Sequence, residues 1–233
     1  MLGATGATVI GPSHKGNQEP NQDALFLRGS RGGWFLSVAD GLGSRPLSHI
    51  GARLAVRIAH QILRDALFEK APREAIQDFY QTWLSVLPNE DPRLMATTIV
   101  VVSCRKDGRC AIVQLGDGLA LYRAAGDFGV ITSERTGFSN ETAALGITRS
   151  FSAWGFAEVK LSEPGDAVIL MTDGVADDLV PERLEGFLKK LIHVTTARSK
   201  RRGKRWLEQQ LECWPTAMHS DDKTIGLIFR ADR

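Results

Sequence analysis

"TTIVVVSCRKDGRCAIVQLGDGLALYRA", residues 97–124, decides the fold. It holds three apolar runs, 97–104, 109–116 and 119–124, rich in Val, Ile and Leu and each of strand length. "KDG" separates the first two and "GDG" the last two, both short turns that bring the chain back beside itself. The reading is a meander of antiparallel strands.

The flanks extend it. Upstream, "DALFLR" (23–28) and "WFLSVAD" (34–40) flank the Gly-rich turn "GSRGG", as a hairpin would. After them Ile50, Leu54, Ile58 and Ile62 recur every four residues, and Ala55, Ala59 and Leu63 widen the stripe into a helix face packed on a sheet. A second helix is expected over 73–87, stopped by "PNEDP". Downstream, the polar stretch 133–152 reads as irregular, followed by "FAEVKL", the turn "SEPGD" and the apolar run "AVILMTD" ending on Asp173. Helices over 182–192 and 204–213 and a last strand over 223–230 complete the chain. Strands in runs with helices grouped around them imply an α+β fold with antiparallel sheets, in one domain over residues 1–233.

Composition excludes several classes. A net charge of +2 and an ordinary apolar fraction of 43% argue against disorder and against a basic nucleic-acid coat. Six basic residues crowd "RSKRRGKR" (198–205), but such a run is ordinarily a solvated face, so no nucleic-acid partner is expected. Cys104, Cys110 and Cys213 show no CxxC spacing, which speaks against a disulfide framework or a zinc site and suggests core thiols in a reducing compartment. No apolar stretch approaches the roughly 18 residues needed to span a bilayer, and the first residues lack a secretory pattern, so a cytoplasmic protein without a membrane partner is expected. Neither a GxSxG elbow nor a P-loop occurs.

Five acids stand at strand edges or turns beside small residues: Asp23, Asp40 in "ADGLG", Asp117 in "GDG", Asp173 in "TDG" and Asp221 in "SDDKT". Each alone is ordinarily a turn. As a set delivered to one sheet edge, they would be costly to bury without a cation. Carboxylate and carbonyl oxygens suit hard ions, so Mg2+ or Mn2+ is favoured over zinc.

The ordered series "GPSHKGNQEPNQDA", "VADGLG", "ATTIVV", "QLGDGLALYR", "LMTDGVADDL" and "SDDKTIGLI" resembles the metal-dependent serine/threonine phosphatases of the protein phosphatase 2C family, in a compact bacterial form, over nearly the whole chain. The resemblance implies two antiparallel sheets packed face to face with helices outside, and a binuclear Mn2+ or Mg2+ centre at the sheet edge. It implies that Asp40 bridges both ions with the Gly41 carbonyl as a further ligand, and that Asp173 and Asp221 complete the first. Asp117 would hold a weaker third ion with Asp173, and Asp23 would orient the attacking water. Asp222 stands where the family usually has Asn, and Thr97 and Thr98 resemble a structural pair. The implied reaction is hydrolysis of a phosphoprotein by a monomer that counteracts a serine/threonine kinase.

Two departures bear on the site. Gln22 stands where the family commonly has a second-metal Glu, and a neutral amide oxygen is a poorer ligand for a divalent ion. The family's phosphate-binding Arg has no counterpart, which leaves His14 or Lys15 in "GPSHKG" to substitute, His14 being placed toward the cleft mouth. These departures keep open an alternative, a catalytically weak phosphatase-like module that binds a phosphorylated partner. Because hard-ion affinity follows ligand charge, Gln22→Glu should shift the Mn2+ titration of ester hydrolysis to lower concentration, and Asp23→Asn should shift it higher. Superimposed curves for the wild type and both variants would contradict the role given to this triplet.

Overall fold

The computed structural model describes residues 1–88, 91–131, 142–216 and 219–232. In chain order the elements are β1 (Leu2–Val9), α1 (Pro12–Asn17), β2 (Asp23–Ser30), β3 (Gly33–Asp40), α2 (Ser48–Glu69), α3 (Pro72–Val86), β4 (Ile99–Arg105), β5 (Arg109–Leu115), β6 (Leu119–Ala124) and β7 (Asp127–Ile131). There follow β8 (Gly155–Lys160), β9 (Ala167–Met171), α4 (Asp173–Ala176), α5 (Leu184–Thr196), α6 (Lys200–Glu212) and β10 (Lys223–Arg230). They form two five-stranded sheets, ordered β1-β10-β9-β6-β7 and β2-β3-β4-β5-β8, and every strand pair is antiparallel.

Alternation along β4 shows why the layers stack. Val100 and Val102 point between the sheets, where they meet Leu36, Val38, Ile112, Val168 and Leu170. Ile99 and Val101 point the other way, onto Ala52, Ala55, Ala59 and Leu63 of α2 and Phe79 and Trp83 of α3. A strand buried on both faces reads as a continuous apolar run, which is the pattern of 97–104. The second sheet repeats the arrangement with Ile169, Met171, Ile225 and Leu227 against Leu188, Leu191, Leu207 and Leu211 of α5 and α6. The result is a four-layer sandwich, helices outside two sheets.

α2 and α3 are separated at Lys70, Ala71 and Pro72. Lys70 leaves helical geometry while its N–H still bonds Ala66 O at 2.9 Å, and Pro72 opens the next helix where its missing N–H costs nothing. The pair contributes the largest buried side chain, Trp83, whose indole Nε1 donates to Gly51 O at 3.2 Å.

Several expectations need correction. β1, "LGATGATV", gave no strand signal because Gly, Ala and Thr carry little apolar bulk, yet it pairs with β10 from Leu2↔Arg230 to Val9↔Lys223. Its small side chains let α6 lie against it, with Gly203 over Thr5. β7 and α1 were likewise unread. The run "AVILMTD" ends as a strand at Met171, and Asp173 instead opens the short helix α4. α5 runs to Thr196 and α6 begins at Lys200, so most of the basic run 198–205 is helix. Cys104 and Cys110 are buried and face each other across β4 and β5, whereas Cys213 is exposed and no core thiol. Of the irregular stretch 133–152, residues 133–141 lie outside the described residues. The remainder holds only an isolated bridge from Leu145 to Thr97 and part of a single 3-10 turn, Phe151–Ala153.

Candidate metal centre

The register of the sheets brings the acids to one end of the sandwich. β2 begins and β3 ends there, with Asp23 directly opposite Asp40. Asp117 lies in the turn that joins β5 to β6, Asp173 follows β9, and Asp221 precedes β10. Since Met171 at the end of β9 pairs with both Leu119 and Ile225, the last three acids sit at the same edge.

Each carboxylate is positioned by neighbours that the sheets supply. Asp40 is held through its backbone: its N–H donates to Thr98 Oγ1 at 3.0 Å, and its carbonyl accepts from Thr98 N and Thr97 Oγ1, both at 2.8 Å. Thr172 Oγ1 donates to Asp23 Oδ2 at 2.8 Å and itself accepts from Thr224 N, which ties β2 to β9 and β10. Thr142 Oγ1 donates to Asp117 Oδ2 at 2.8 Å. Gly174 N and Asp222 N turn back onto Asp173 Oδ1 and Asp221 Oδ1 at 2.7 and 2.8 Å. A Cβ on Gly174 would lie 1.9 Å from Asp222 O, so the approach of α4 to β10 demands glycine at that position.

The electrostatics are those of crowded like charges. Burial, followed by the charges of Asp23, Asp173 and Asp221, pushes Asp40 well above the usual carboxylate range. Burial raises Asp23 to about 7 against the hydrogen bonds from Thr224 and Thr172, with Asp222 and Asp173 adding to the rise. Asp173 is also raised to about 7, by burial and then by Asp117 and Asp221. Relative to a solvent-exposed carboxylate, a rise from about 4 to about 7 disfavours the ionised form by on the order of a few kcal/mol. Among the described residues, Asp23 Oδ1 and Asp117 Oδ1 are buried without a hydrogen-bond partner. An all-oxygen donor set with orphaned carboxylate oxygens and repelling charges fits one or more hard divalent cations.

Gln22 enters through its backbone. Its N–H donates to Asp222 Oδ2 at 2.6 Å and its carbonyl accepts from Gly41 N at 3.1 Å, which fixes "NQD" against "DGLG". Its side-chain oxygen lies beside Gly43. His14, on α1, places Nδ1 2.9 Å from Asp222 Oδ2, an ion-pair distance without hydrogen-bond alignment, and Nε2 3.8 Å from Glu19 Oε2.

Sequence reasoning missed the organising role of Asp222. This 1% exposed carboxylate takes Gly11 N at 2.7 Å and Gln22 N at 2.6 Å besides facing His14, so it clamps the segment carrying Asp23 to the start of β10. A Cβ on Gly11 would meet the Ser220 and Asp221 backbone at 2.3 Å. By distance alone His14, Asp221 and Asp222 form a group whose ligand atoms lie within 4.8 Å of one another. Asp222 is already engaged by two N–H groups, so the acids around Asp40 are the better cation site. The signal available in sequence was the unusual second acid of "SDDKT".

A cleft of about 610 Å3 opens beside Asp221, lined by Ser13, His14, Asp178, His219 and Ser220 as well. His219 Nδ1 lies 2.5 Å from Asp178 Oδ2, which also accepts from Trp214 Nε1 at 2.7 Å. Although burial pushes the other way, the hydrogen bonds from His219 and Trp214 hold Asp178 below the usual carboxylate range. The cleft is thus walled by two histidines, each with a carboxylate beside it.

A family model described as protein phosphatase 2C matches residues 10–213. No curated protein sequence matches the chain. Among solved structures, the chain is similar to the catalytic domain of the serine/threonine protein phosphatase PstP in complex with two manganese ions, at 16% identity over 99% of each chain with a TM-score of 0.64. It is similar to RsbX in complex with magnesium, at 15% identity over 98% of this chain and 94% of that one, TM-score 0.65. A third is the serine/threonine phosphatase MsPP from Mycobacterium smegmatis in complex with cacodylate, at 23% identity over 97% of each chain, TM-score 0.62.

The raised acids make the metal-free protein sensitive to pH with a definite sign. Asp23 and Asp173 titrate near 7 when folded and near 4 when unfolded, so the folded state binds more protons between those values. Their contribution is fully present below about pH 4 and is lost as the pH rises through about 7. Calorimetry of metal-free protein should show the melting midpoint falling by roughly 5–10 °C between pH 5.5 and pH 8. Mn2+ should restore it at pH 8 and change little at pH 5.5. A midpoint that rises over this range would contradict the crowding.

Proposed function

The chain belongs to the protein phosphatase 2C family, and on that premise we propose that it is a metal-dependent serine/threonine phosphoprotein phosphatase. The observation that carries the reading is the convergence of Asp23, Asp40, Asp117, Asp173 and Asp221 at one sheet edge, with burial and mutual repulsion raising three of them. Asp40, the Gly41 carbonyl, Asp173 and Asp221 would hold the first Mn2+ or Mg2+. Asp40 would be shared with a second ion on the Gln22 side, and Asp117 with Asp173 would hold a weaker third. When bound, such ions supply a nucleophile active near neutral pH and neutralise charge on the transferred phosphoryl group.

The chain's own groups do the rest. Asp23, with Oδ2 held by Thr172 and Oδ1 without a hydrogen-bond partner among the described residues, would orient the attacking water and offer Oδ1 as a proton acceptor. Asp222 keeps Gln22 and Asp23 in register with Asp221, so loss of the clamp would displace both sides of the site together. His14 faces the cleft beside Asp221 and meets the phosphate in place of the absent Arg, while the cleft receives the peptide that bears it. Five acids gathered at one end of the sandwich count against a module without turnover, which has no need of their repulsion.

The reading extends to a single-domain monomer in the cytoplasm that reverses the action of a serine/threonine kinase in bacterial signalling. It is supported by contacts that join both sheets into one sandwich and by the absence, among the described residues, of any helix long and apolar enough to cross a membrane.

The purified protein should hydrolyse phosphoserine and phosphothreonine peptides with Mn2+ or Mg2+ and lose activity in EDTA. Asp40→Asn and Asp173→Asn should each lower turnover at least about 100-fold, equivalent to roughly 2.7 kcal/mol in the barrier, with unchanged circular dichroism. Wild-type turnover in folded Asp40→Asn, or full activity in chelator, would overturn the assignment.

A further inference from the structure

The hairpin that delivers Asp23 and Asp40 to the metal centre carries a second concentration of charge, of opposite sign, at its other end. Its register runs from Asp23↔Asp40 to Ser30↔Gly33. At about 3.3 Å per residue, the two ends lie roughly 23 Å apart. There an inlet of about 260 Å3 is lined by Arg28, Arg31, Trp34, His60, Arg64 and Arg105, with Asp65 as the one acid in its wall.

The arginines are not equally neutralised. Arg64 is matched by Asp65, its Nε and a terminal nitrogen lying 2.9 and 2.6 Å from Oδ2. Arg105 stacks over Phe68 at 4.6 Å and touches Glu69 only at 3.5 Å, and its Nε is buried with no hydrogen-bond partner among the described residues. Arg28 and Arg31 make no ion pair among the described residues. Burial, and after it the charges of Arg28 and Arg64, hold His60 in the inlet wall below the usual imidazole range against the opposing charge of Asp65. Ser30 adds a hydroxyl to the wall, whereas the Ser103 hydroxyl is spent on Arg64 O at 2.7 Å. Guanidinium groups with unmet donors around a concave site are the chemistry that recognises phosphoryl oxygens.

Size and surroundings narrow the ligand. The inlet falls below the roughly 300–1,000 Å3 typical of whole small-molecule sites, so it suits a phosphoryl group presented by a chain. The basic surface also continues beyond it. Lys200 Nζ lies 4.9 Å from the Trp34 ring centroid, and Lys200 opens α6, where the run "KRRGKR" begins. An acidic segment leaving the inlet would therefore meet further cations.

We infer that the arginine inlet at the far end of the β2–β3 hairpin is a phosphate-binding site distinct from the metal centre, and that it takes a phosphorylated side chain borne on an acidic protein segment. The inference does not depend on turnover at the metal centre.

The test follows amide resonances of Gly32, Gly33 and Trp34. Mg2+-loaded wild type is titrated with inorganic phosphate, and full-length Asp40→Asn with an acidic phosphoserine peptide, its unphosphorylated form and a short DNA duplex. Saturable shifts with the phosphopeptide, at least tenfold weaker with the unphosphorylated form, are expected. Arg28→Ser combined with Arg31→Ser should weaken phosphopeptide binding tenfold or more and leave Mn2+-dependent hydrolysis of a generic phosphate ester unchanged. Equal binding of both peptides, or unaltered binding in the double variant, would overturn the site. Inorganic phosphate binding more tightly than the phosphopeptide would overturn the chain-borne ligand in favour of the free anion. DNA binding more tightly than the phosphopeptide would overturn it in favour of nucleic acid.

Discussion

Repulsion among buried carboxylates is the constraint on which the active end of this molecule depends. Two unit charges 4 Å apart at an effective dielectric of about 20 repel by roughly 4 kcal/mol, and the sheets hold Asp40 near Asp23, Asp173 and Asp221 at once. The metal-free fold meets that penalty by retaining protons, which is why Asp23 and Asp173 rise to about 7. A divalent cation meets it by substitution of charge. Such a site is pre-arranged for cations by the same packing that makes it unfavourable without them.

The packing holds the acids in place through neighbours on adjacent elements. Asp40 is pinned by the Thr97 and Thr98 backbone and hydroxyl bonds, Asp23 by Thr172, and Asp173 by the tight contact of Gly174 with Asp222. Asp222 then links the N-terminal stretch around Gly11 and Gln22 to the remote one around Asp221. The interior valines and leucines of both sheets fix the spacing between strands, and the polar clamps fix the angle of each acid. Opposite ends of one hairpin thereby carry opposite charge, acids at Asp23 and Asp40 and guanidinium groups at Arg28 and Arg31.

What was legible in the sequence follows from what kind of force acts. The meander and α2 were legible because burial on one or two faces writes a period of two or of about four into the side chains. The ends of those runs located the five aspartates. β1 was not legible, since its partner is β10, more than 200 residues away, and its small residues answer to the close approach of α6. The switch from strand to helix at Asp173 turned on one glycine meeting a remote backbone oxygen. Asp222 stood where the family usually has Asn, and the two backbone donors it holds come from a segment that only the folded chain brings to it. The arginine inlet escaped for the same reason, because Arg28, Arg64 and Arg105 belong to separate elements.

The central claim is that the acids around Asp40 are arranged to hold divalent cations. Anomalous scattering at the manganese edge from crystals grown with Mn2+ tests it most directly. The account predicts the strongest peak among the carboxylates of Asp40, Asp173 and Asp221. A structure in which manganese binds only elsewhere, for instance between His14 and Asp222, while those three carboxylates stay free, would contradict it.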